Sequence, residues 1–211
     1  MTNKTKNSGE TLIEILVSTV ILITVVTSAF VFLNRGVATN LGLTNRIIAI
    51  EIAREGLEAV RNIRDTNWLK YSGDRRAKWL CVDEQGEDTC SGINVTAIDI
   101  PGFYRAEFSE DDKRYYIEEP DVGSELLDLA NNSAGYENFQ LFETSSGRLV
   151  HDNVDNTPTI FYRQIELIPE TNALNEEKLK VISRVQWSEV NTYPSTVLET
   201  HLFDFYERDA Y

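Results

Sequence analysis

The chain has 211 residues, 42% of them hydrophobic, and a formal net charge of −14 at pH 7. That length accommodates one anchoring helix and one domain of ordinary size. The acidic balance weighs against the basic patch that a nucleic-acid-binding surface requires, so no nucleic-acid partner is indicated.

The first nine residues form a short polar leader that holds Lys4 and Lys6 and ends in Gly9. Leu12 to Leu33 follows as 22 residues with a single formal charge, Glu14. A helix needs roughly 20 apolar residues to cross hydrocarbon, so this stretch is a membrane-spanning candidate. A lone carboxylate in such a segment is costly to leave without a partner and is therefore a functional suspect. A secretory signal peptide fits poorly, because its apolar core spans only about 7–15 residues before a small-residue cleavage site. Here Ser28-Ala29 is followed by Phe30, Val31 and Phe32. An ordinary single-pass anchor fits the hydropathy equally well. The span is rich in β-branched residues, from Val17 to Thr27. These form helices only moderately well in water, but lipid imposes the helix by requiring every backbone group to be satisfied internally.

The junction Gly9-Glu10-Thr11-Leu12-Ile13-Glu14 separates the two readings. It resembles the prepilin signature of type IV pilins and of the pseudopilins of type II secretion. That resemblance implies cleavage between Gly9 and Glu10 by a prepilin peptidase, which in that family also methylates the new N-terminal amine. It places Thr11, Leu12, Ile13 and Glu14 in the assembly segment, with Glu14 as the glutamate at the fifth mature position. The family usually begins its mature chain with phenylalanine, whereas this chain has Glu10, which leaves N-methylation of Glu10 open. Many type IV pilins also carry a glycine and a proline in the span, and neither occurs between Glu10 and Leu33. In a fibre of parallel subunits, the Glu14 carboxylate would neutralise a neighbouring subunit's terminal ammonium in low dielectric and so set the axial register. The partners implied are the peptidase, other pilin subunits with the pilus assembly machinery, and membrane lipid before assembly.

Loss of Met1 to Gly9 removes both leader lysines and takes the side-chain charge from −14 to −16. The positive-inside bias puts the leader in the cytoplasm and the acidic body outside the membrane.

Beyond Leu33 an apolar stripe recurs at Leu43, Ile47, Ile50, Ala53, Leu57, Val60 and Ile63. Steps of three and four residues predict an amphipathic helix. The other face carries Glu51, Arg54, Glu55, Glu58, Arg61 and Asp65. Arg54/Glu58 and Arg61/Asp65 are the i, i+4 pairs expected to support it. No proline precedes Pro101, so one helix could run continuously from Thr11 and end near Asp65-Thr66-Asn67. The segment Glu51 to Trp68 resembles the post-anchor helix of minor pilins of the pilus-modification or pseudopilin-I-like type.

Trp68, Tyr71 and Trp79 then open a turn-rich stretch. Cys81 and Cys90 enclose eight residues. Outside the cytoplasm such a pair is expected as a disulfide closing a small loop, with free thiols as the alternative. Short strands are expected from Ile93 onward. Phe139–Thr144 and Arg148–His151 flank Ser145-Ser146-Gly147 as a hairpin, and Ile160–Ile168, Lys178–Ser188 and Thr196–Phe205 read as three more strands. Leu179, Val181, Val185 and Trp187 alternate with Lys180, Arg184 and Gln186, the pattern of a half-buried strand. Short loops favour an antiparallel meander.

Local chemistry is sparse. His151 and His201 lie in strand-like segments without a nucleophile motif, and a lone histidine on a strand is more often structural or surface than catalytic. The acidic clusters Glu107–Asp112, Glu118–Asp128 and Asp152–Asp155 do not fit calcium-loop spacing; Asp152-Asn153-Val154-Asp155-Asn156 fails at its third position. They are read as solvated loops. No enzyme activity, metal or cofactor is expected.

The expected organisation is a leader (1–9), a transmembrane and polymerisation helix (10–34), the amphipathic second half of that helix (35–67) and a globular β-rich head (68–211). The fold class is α+β, with a four- or five-stranded antiparallel sheet packed on the helix. The function implied by the resemblance is a minor pilin-like subunit in the cytoplasmic membrane and then at the cell surface. A type II secretion pseudopilin and a membrane-anchored extracytoplasmic adhesin or binding domain are the alternatives.

Overall fold

A computed structural model describes residues 8–70, 102–109, 113–120, 125–171 and 177–203. Among the described residues one long helix, α1 (Ser8–Lys70), precedes seven strands, β1 (Gly102–Ser109), β2 (Arg114–Glu118), β3 (Gln140–Glu143), β4 (Leu149–Val150), β5 (Thr157–Thr171), β6 (Glu177–Trp187) and β7 (Ser195–Phe203). This is the α+β class expected, with seven strands among the described residues in place of four or five. The chain divides into two compact units, Met1–Arg46 and Ile47–Tyr211.

In the first unit α1 is a bare apolar rod. Its large side chains from Leu12 to Leu33 are exposed, and mean hydropathy reaches 2.5 in its most apolar window. The span's hydroxyls do not spoil that surface. Thr19 Oγ1 donates to the Ile15 carbonyl (2.7 Å), and Thr24, Thr27 and Ser28 each donate to the carbonyl four residues back. A hydroxyl folded onto the preceding turn needs no outside partner, so it tolerates hydrocarbon. Among the described residues this is the one helix long and apolar enough to cross a membrane, consistent with single-pass anchoring.

In the second unit the rest of α1 packs on the sheet. Ala49, Ile52, Ala53, Leu57, Ala59, Val60 and Ile63 are buried, and they meet Leu141, Phe161, Ile165, Leu167, Leu179, Val181, Val185 and Leu202. The buried stripe starts later than the periodicity predicts, since Leu43 and Ile47 are exposed. It also runs further: α1 continues past Asn67 to Lys70, and Trp68 packs against the core as part of the helix. Arg64 lies over the Trp68 ring (4.5 Å), a contact that favours continuing the helix through that turn. The expected i, i+4 ion pairs are replaced by i, i+3 pairs, Arg54 with Glu51 and Arg61 with Glu58. Side chains three apart on a helix are neighbours as surely as those four apart.

The strands predicted from Phe139 onward all form. Gly147 takes φ +81° in the β3–β4 turn, a conformation that disfavours side chains, so the Ser145-Ser146-Gly147 hairpin is legible from its glycine. β5, β6 and β7 form the expected meander, with Ile165 opposite Ser183 and Ser183 opposite Leu198. The other edge of β5 departs from a meander. Its C-terminal part pairs with β1 (Tyr104↔Ile165) and its N-terminal part with β3 (Gln140↔Tyr162). Past Tyr104, β1 is paired with β2 over Arg105–Ser109, so the two hairpins diverge as a fork. All pairings are antiparallel.

The sheet face away from the helix is partly covered by the segment running from Glu125 into the 3-10 turn Tyr136–Phe139. Leu127 N–H donates to Gln164 Oε1 (2.9 Å), Gln164 Nε2 donates to the Glu125 carbonyl (2.8 Å), and Leu129 N–H donates to Gln186 Oε1 (3.0 Å). These strand amides supply the ladder bonds that an irregular buried segment lacks.

Helix and sheet come close together at Gly56. A Cβ there would sit 2.6 Å from Ser183 Oγ and 3.3 Å from Arg163 Cδ. Ser183 Oγ is itself buried with no hydrogen-bond partner among the described residues. Gly56→Ala is expected to destabilise the protein by about 1–3 kcal/mol through overpacking, despite alanine's better helix propensity. Ser183→Ala should be neutral or mildly stabilising, and it should recover most of the Gly56→Ala loss in the double variant. Urea denaturation of the full chain in non-ionic detergent measures all three, and simple additivity would refute the contact.

Candidate functional site

The junction residues read from the sequence lie at the start of α1. Gly9, Glu10 and Thr11 are in its helical backbone, and Leu12, Ile13 and Glu14 follow with exposed side chains. No Lys, Arg or His occurs between Gly9 and Arg35, so the chain supplies Glu14 with no cation from its own span. Cys81 and Cys90 lie outside the described residues, as do parts of the first two acidic clusters.

A second constellation occupies the fork of the sheet. Glu107, assigned from sequence to a solvated acidic loop, instead sits on β1 with its carboxylate largely buried. Strand alternation explains why: Tyr104, Ala106 and Phe108 share one side, which puts Arg105 and Glu107 on the other. The 12%-exposed carboxylate meets His151, whose side chain is 1% exposed just beyond β4. The His151 backbone N–H donates to Glu107 Oε1 (3.1 Å), and ring Nδ1 lies 2.6 Å from the same oxygen. Ring Nε2 is 3.3 Å from the Arg163 carbonyl. Arg163, fully buried on β5, donates Nη2 to the Ala106 carbonyl (2.9 Å) and holds Nη1 3.5 Å from Glu55 on α1. Arg148 adds a second tie, its guanidinium 4.4 Å from the Phe108 ring centre. The β3–β4 hairpin is thereby clamped to β1 across the fork.

The chemistry of the pair follows from its contacts. A carboxylate–imidazole dyad acts as a general base only when the far ring nitrogen faces a substrate. Here that nitrogen faces a backbone carbonyl, so the dyad is arranged to hold two strands together. Burial would raise the Glu107 pKa, but the hydrogen bonds from His151 and the charge of Arg163 outweigh it and hold it below the ordinary carboxylate range. Burial pushes the His151 imidazole below its usual value, against the opposing pull of Glu107.

An open cavity of about 540 Å³ lies against this clamp. Arg105 and Glu107 of β1, Tyr116 and Glu118 of β2, and Gln140 and Phe142 of β3 contribute to its walls, with Glu137 and Asn138 of the 3-10 turn and His151–Asn153 completing them. Arg105 is already bound to Glu118 (2.7 Å). Burial first, and then the carboxylates of Glu107 and Glu118, raise the Tyr116 phenol's pKa. Among the described residues no group of three or more His, Cys, Asp or Glu is placed to hold a metal ion. His201, the other histidine, is exposed on β7, 3.8 Å from Glu170. Sequence reasoning missed the cavity because its lining comes from four separate stretches of chain, although the β1 alternation that turns Glu107 away from the helix was readable.

Acid should loosen the clamp. An unfolded histidine takes its proton near about pH 6.5. The buried His151 resists protonation, so the stability contributed by its neutral form is complete above that value and drains as pH falls below it. The contribution of ionised Glu107 is lost only further down, as pH falls through the carboxylate range. The full chain in detergent should therefore melt lower at about pH 5.5 than at about pH 7.5, by up to about 1.4 kcal/mol per pH unit for one such group. His151→Asn should lower stability at the higher pH and flatten the slope. An unaltered slope in His151→Asn would exclude the clamp as its source. No protein-family model, curated protein or solved structure matches this chain.

Proposed function

We propose that this chain is a type IV pilin-like subunit, more minor than major in character, that joins a pilus or pseudopilus through its N-terminal helix. The observation that carries the reading is the Gly9-Glu10-Thr11-Leu12-Ile13-Glu14 junction at the start of an exposed apolar helix. Such a rod has two environments that satisfy it, lipid before assembly and the packed helices of neighbouring subunits afterwards. Glu14 supports the second, because a carboxylate with no cation in its own span gains most from a cation brought by another chain. A prepilin peptidase cutting after Gly9 creates that cation as the ammonium of Glu10. The leader faces the cytoplasm, and the head faces outward in the membrane and then at the cell surface. A type II secretion pseudopilin would share these features. The cavity in the head favours a second reading, an uncleaved membrane-anchored extracytoplasmic binding domain.

Intact mass distinguishes the two. Co-expression with an active prepilin peptidase is expected to remove Met1 to Gly9, with or without one methyl group, and a peptidase-dead control should leave the chain whole. An unchanged mass with the active enzyme would favour the anchored domain. Glu14→Leu should still be inserted and cleaved. Its recovery in sheared fibres should fall at least about tenfold, because removing one partner of a desolvated pair costs about 3–5 kcal/mol. Normal recovery would strip Glu14 of its assembly role.

A further inference from the structure

Strand β7 ends the sheet on the side of β6, which is its one partner strand among the described residues. Their pairing runs unbroken over nine residue pairs, from Gln186↔Ser195 to Lys178↔Phe203, so no bulge bends this edge. Ser195–Phe203 also holds no proline, glycine, lysine or arginine, and Glu199 is its one formal charge. Folded proteins normally blunt an exposed edge with such residues, with a bulge or by keeping it short, because a bare edge is a template for another strand. The sheet's other outer strands are short, five residues in β2 and two in β4. At nine residues, β7 breaks the rule.

The phase of the ladder fixes which groups this edge presents. Trp187 N–H donates to the Pro194 carbonyl (3.1 Å), a bonded pair at the end of the β6–β7 register. Bonded pairs recur at every second residue of an antiparallel ladder, so Thr196, Leu198, Thr200 and Leu202 turn their backbone groups to β6. Val197, Glu199 and His201 turn theirs outward, and among the described residues no strand pairs with them. Their exposed side chains lie on the sheet face away from α1, because Leu198 and Leu202 pack on the helix side.

An antiparallel copy of β7 fits this edge best in one register. With a two-fold axis at Thr200, Glu199 of each copy meets His201 of the other, and Val197 meets Phe203. Outward backbone groups then face outward ones, and the cross-strand pairs are a carboxylate with an imidazole or two apolar groups. Moving the axis by one residue brings Glu199 onto its own copy, or His201 onto its own copy. Both side chains have room for a new partner. Glu199 touches Lys180 (3.1 Å) yet is 58% exposed, and His201 Nε2 stands 3.8 Å from Glu170, beyond hydrogen-bond range.

The same axis decides where the partner comes from. Within the head α1 runs along β7, since Ala49 to Ala53 pack near Trp187 and Leu57 to Ile63 near Leu179 and Leu202. The two-fold therefore sets the two head-bound helices in opposite directions on one face of a continued sheet. Neighbours in one fibre or one membrane have these helices parallel and cannot make the pair. We propose that β7 is a homotypic docking edge, which joins the head of one copy to that of a second copy presented from an opposing surface. The net charge of −14 on each copy resists the approach, but at about 0.15 M salt a screening length of about 8 Å limits that repulsion. The contact uses the head alone, so its test is separate from that of cleavage after Gly9.

Thr200 meets its own copy between two bonded pairs, where Cα atoms lie about 4.5 Å apart, within disulfide range. The full chain carrying Thr200→Cys, in non-ionic detergent at about 100 μM to reveal a weak contact, should oxidise to a dimer bridged through the two introduced thiols, as read by peptide mass. Thr196→Cys, on the same strand face but about 27 Å from its copy, should bridge at least about tenfold less. The wild-type chain sets the background from Cys81 and Cys90. Adding His201→Glu puts like charges opposite one another and should lower the Thr200→Cys dimer yield about tenfold, and adding Glu199→Lys to that chain should restore it. Phosphatidylcholine vesicles carrying the wild-type chain should cluster in light scattering, and His201→Glu should disperse them. Equal bridging at positions 196 and 200, a dimer yield no higher than the wild type's, or no recovery in the charge-swapped chain would overturn the proposal. Vesicles that stay dispersed while the thiols bridge would put the contact within one bilayer and overturn the opposing surface.

Discussion

The absence of a side chain at Gly56 sets how closely helix and sheet can approach. With Ser183 Oγ only 2.6 Å from where a Cβ would stand, the second half of α1 rests almost directly on β5 and β6. That closeness brings Ala49, Ala53 and Ala59 to full burial, where small residues suit a tight interface. It also carries Arg163 into the interface. A guanidinium there is tolerable only because Nη2 reaches the Ala106 carbonyl and Nη1 approaches Glu55, while its remaining polarity stays a cost of the packing.

From Arg163 the constraint passes to the fork. The arginine's Nη2 donates to the Ala106 carbonyl on β1, and its own carbonyl stands 3.3 Å from the His151 ring beyond β4. One residue of β5 therefore touches both hairpins that share its edge. Divergence of β1 from β5 leaves room for the cavity, and the Glu107–His151 contact stops that room from widening. The shape of the head and its expected acid sensitivity trace to one buried arrangement.

The apolar half of α1 obeys a different rule. Thr19, Thr24, Thr27 and Ser28 bond their own helix, and its large side chains are exposed. Exposure of that much hydrocarbon to water would cost far more than a typical domain's net stability of about 5–15 kcal/mol, so lipid or other helices must cover it. Glu14 is the exception within the rod, and an unbalanced charge in an otherwise apolar surface is a reason for that surface to be specific in what covers it.

By itself the sequence determined whatever depends on local pattern. An apolar run of 22 residues with Glu14 as its single charge dictates a long apolar helix, and the Ser145-Ser146-Gly147 turn and the alternation in β6 dictate strands, because period and turn chemistry are properties of neighbouring residues. The α+β class followed from the order of those patterns. Tertiary structure decided what depends on distant partners. Leu43 and Ile47 continue the stripe by spacing but remain exposed, and Trp68 stays helical instead of entering a turn as it packs on the core and on Arg64. The divergence of two hairpins on one edge of β5 is invisible to periodicity, since it depends on which edges pair. Glu107 carries the clearest lesson. In sequence it is one acid in an acidic run, and only the meeting of β1 with the end of β4, 44 residues away, makes it a buried ion with a histidine for its partner.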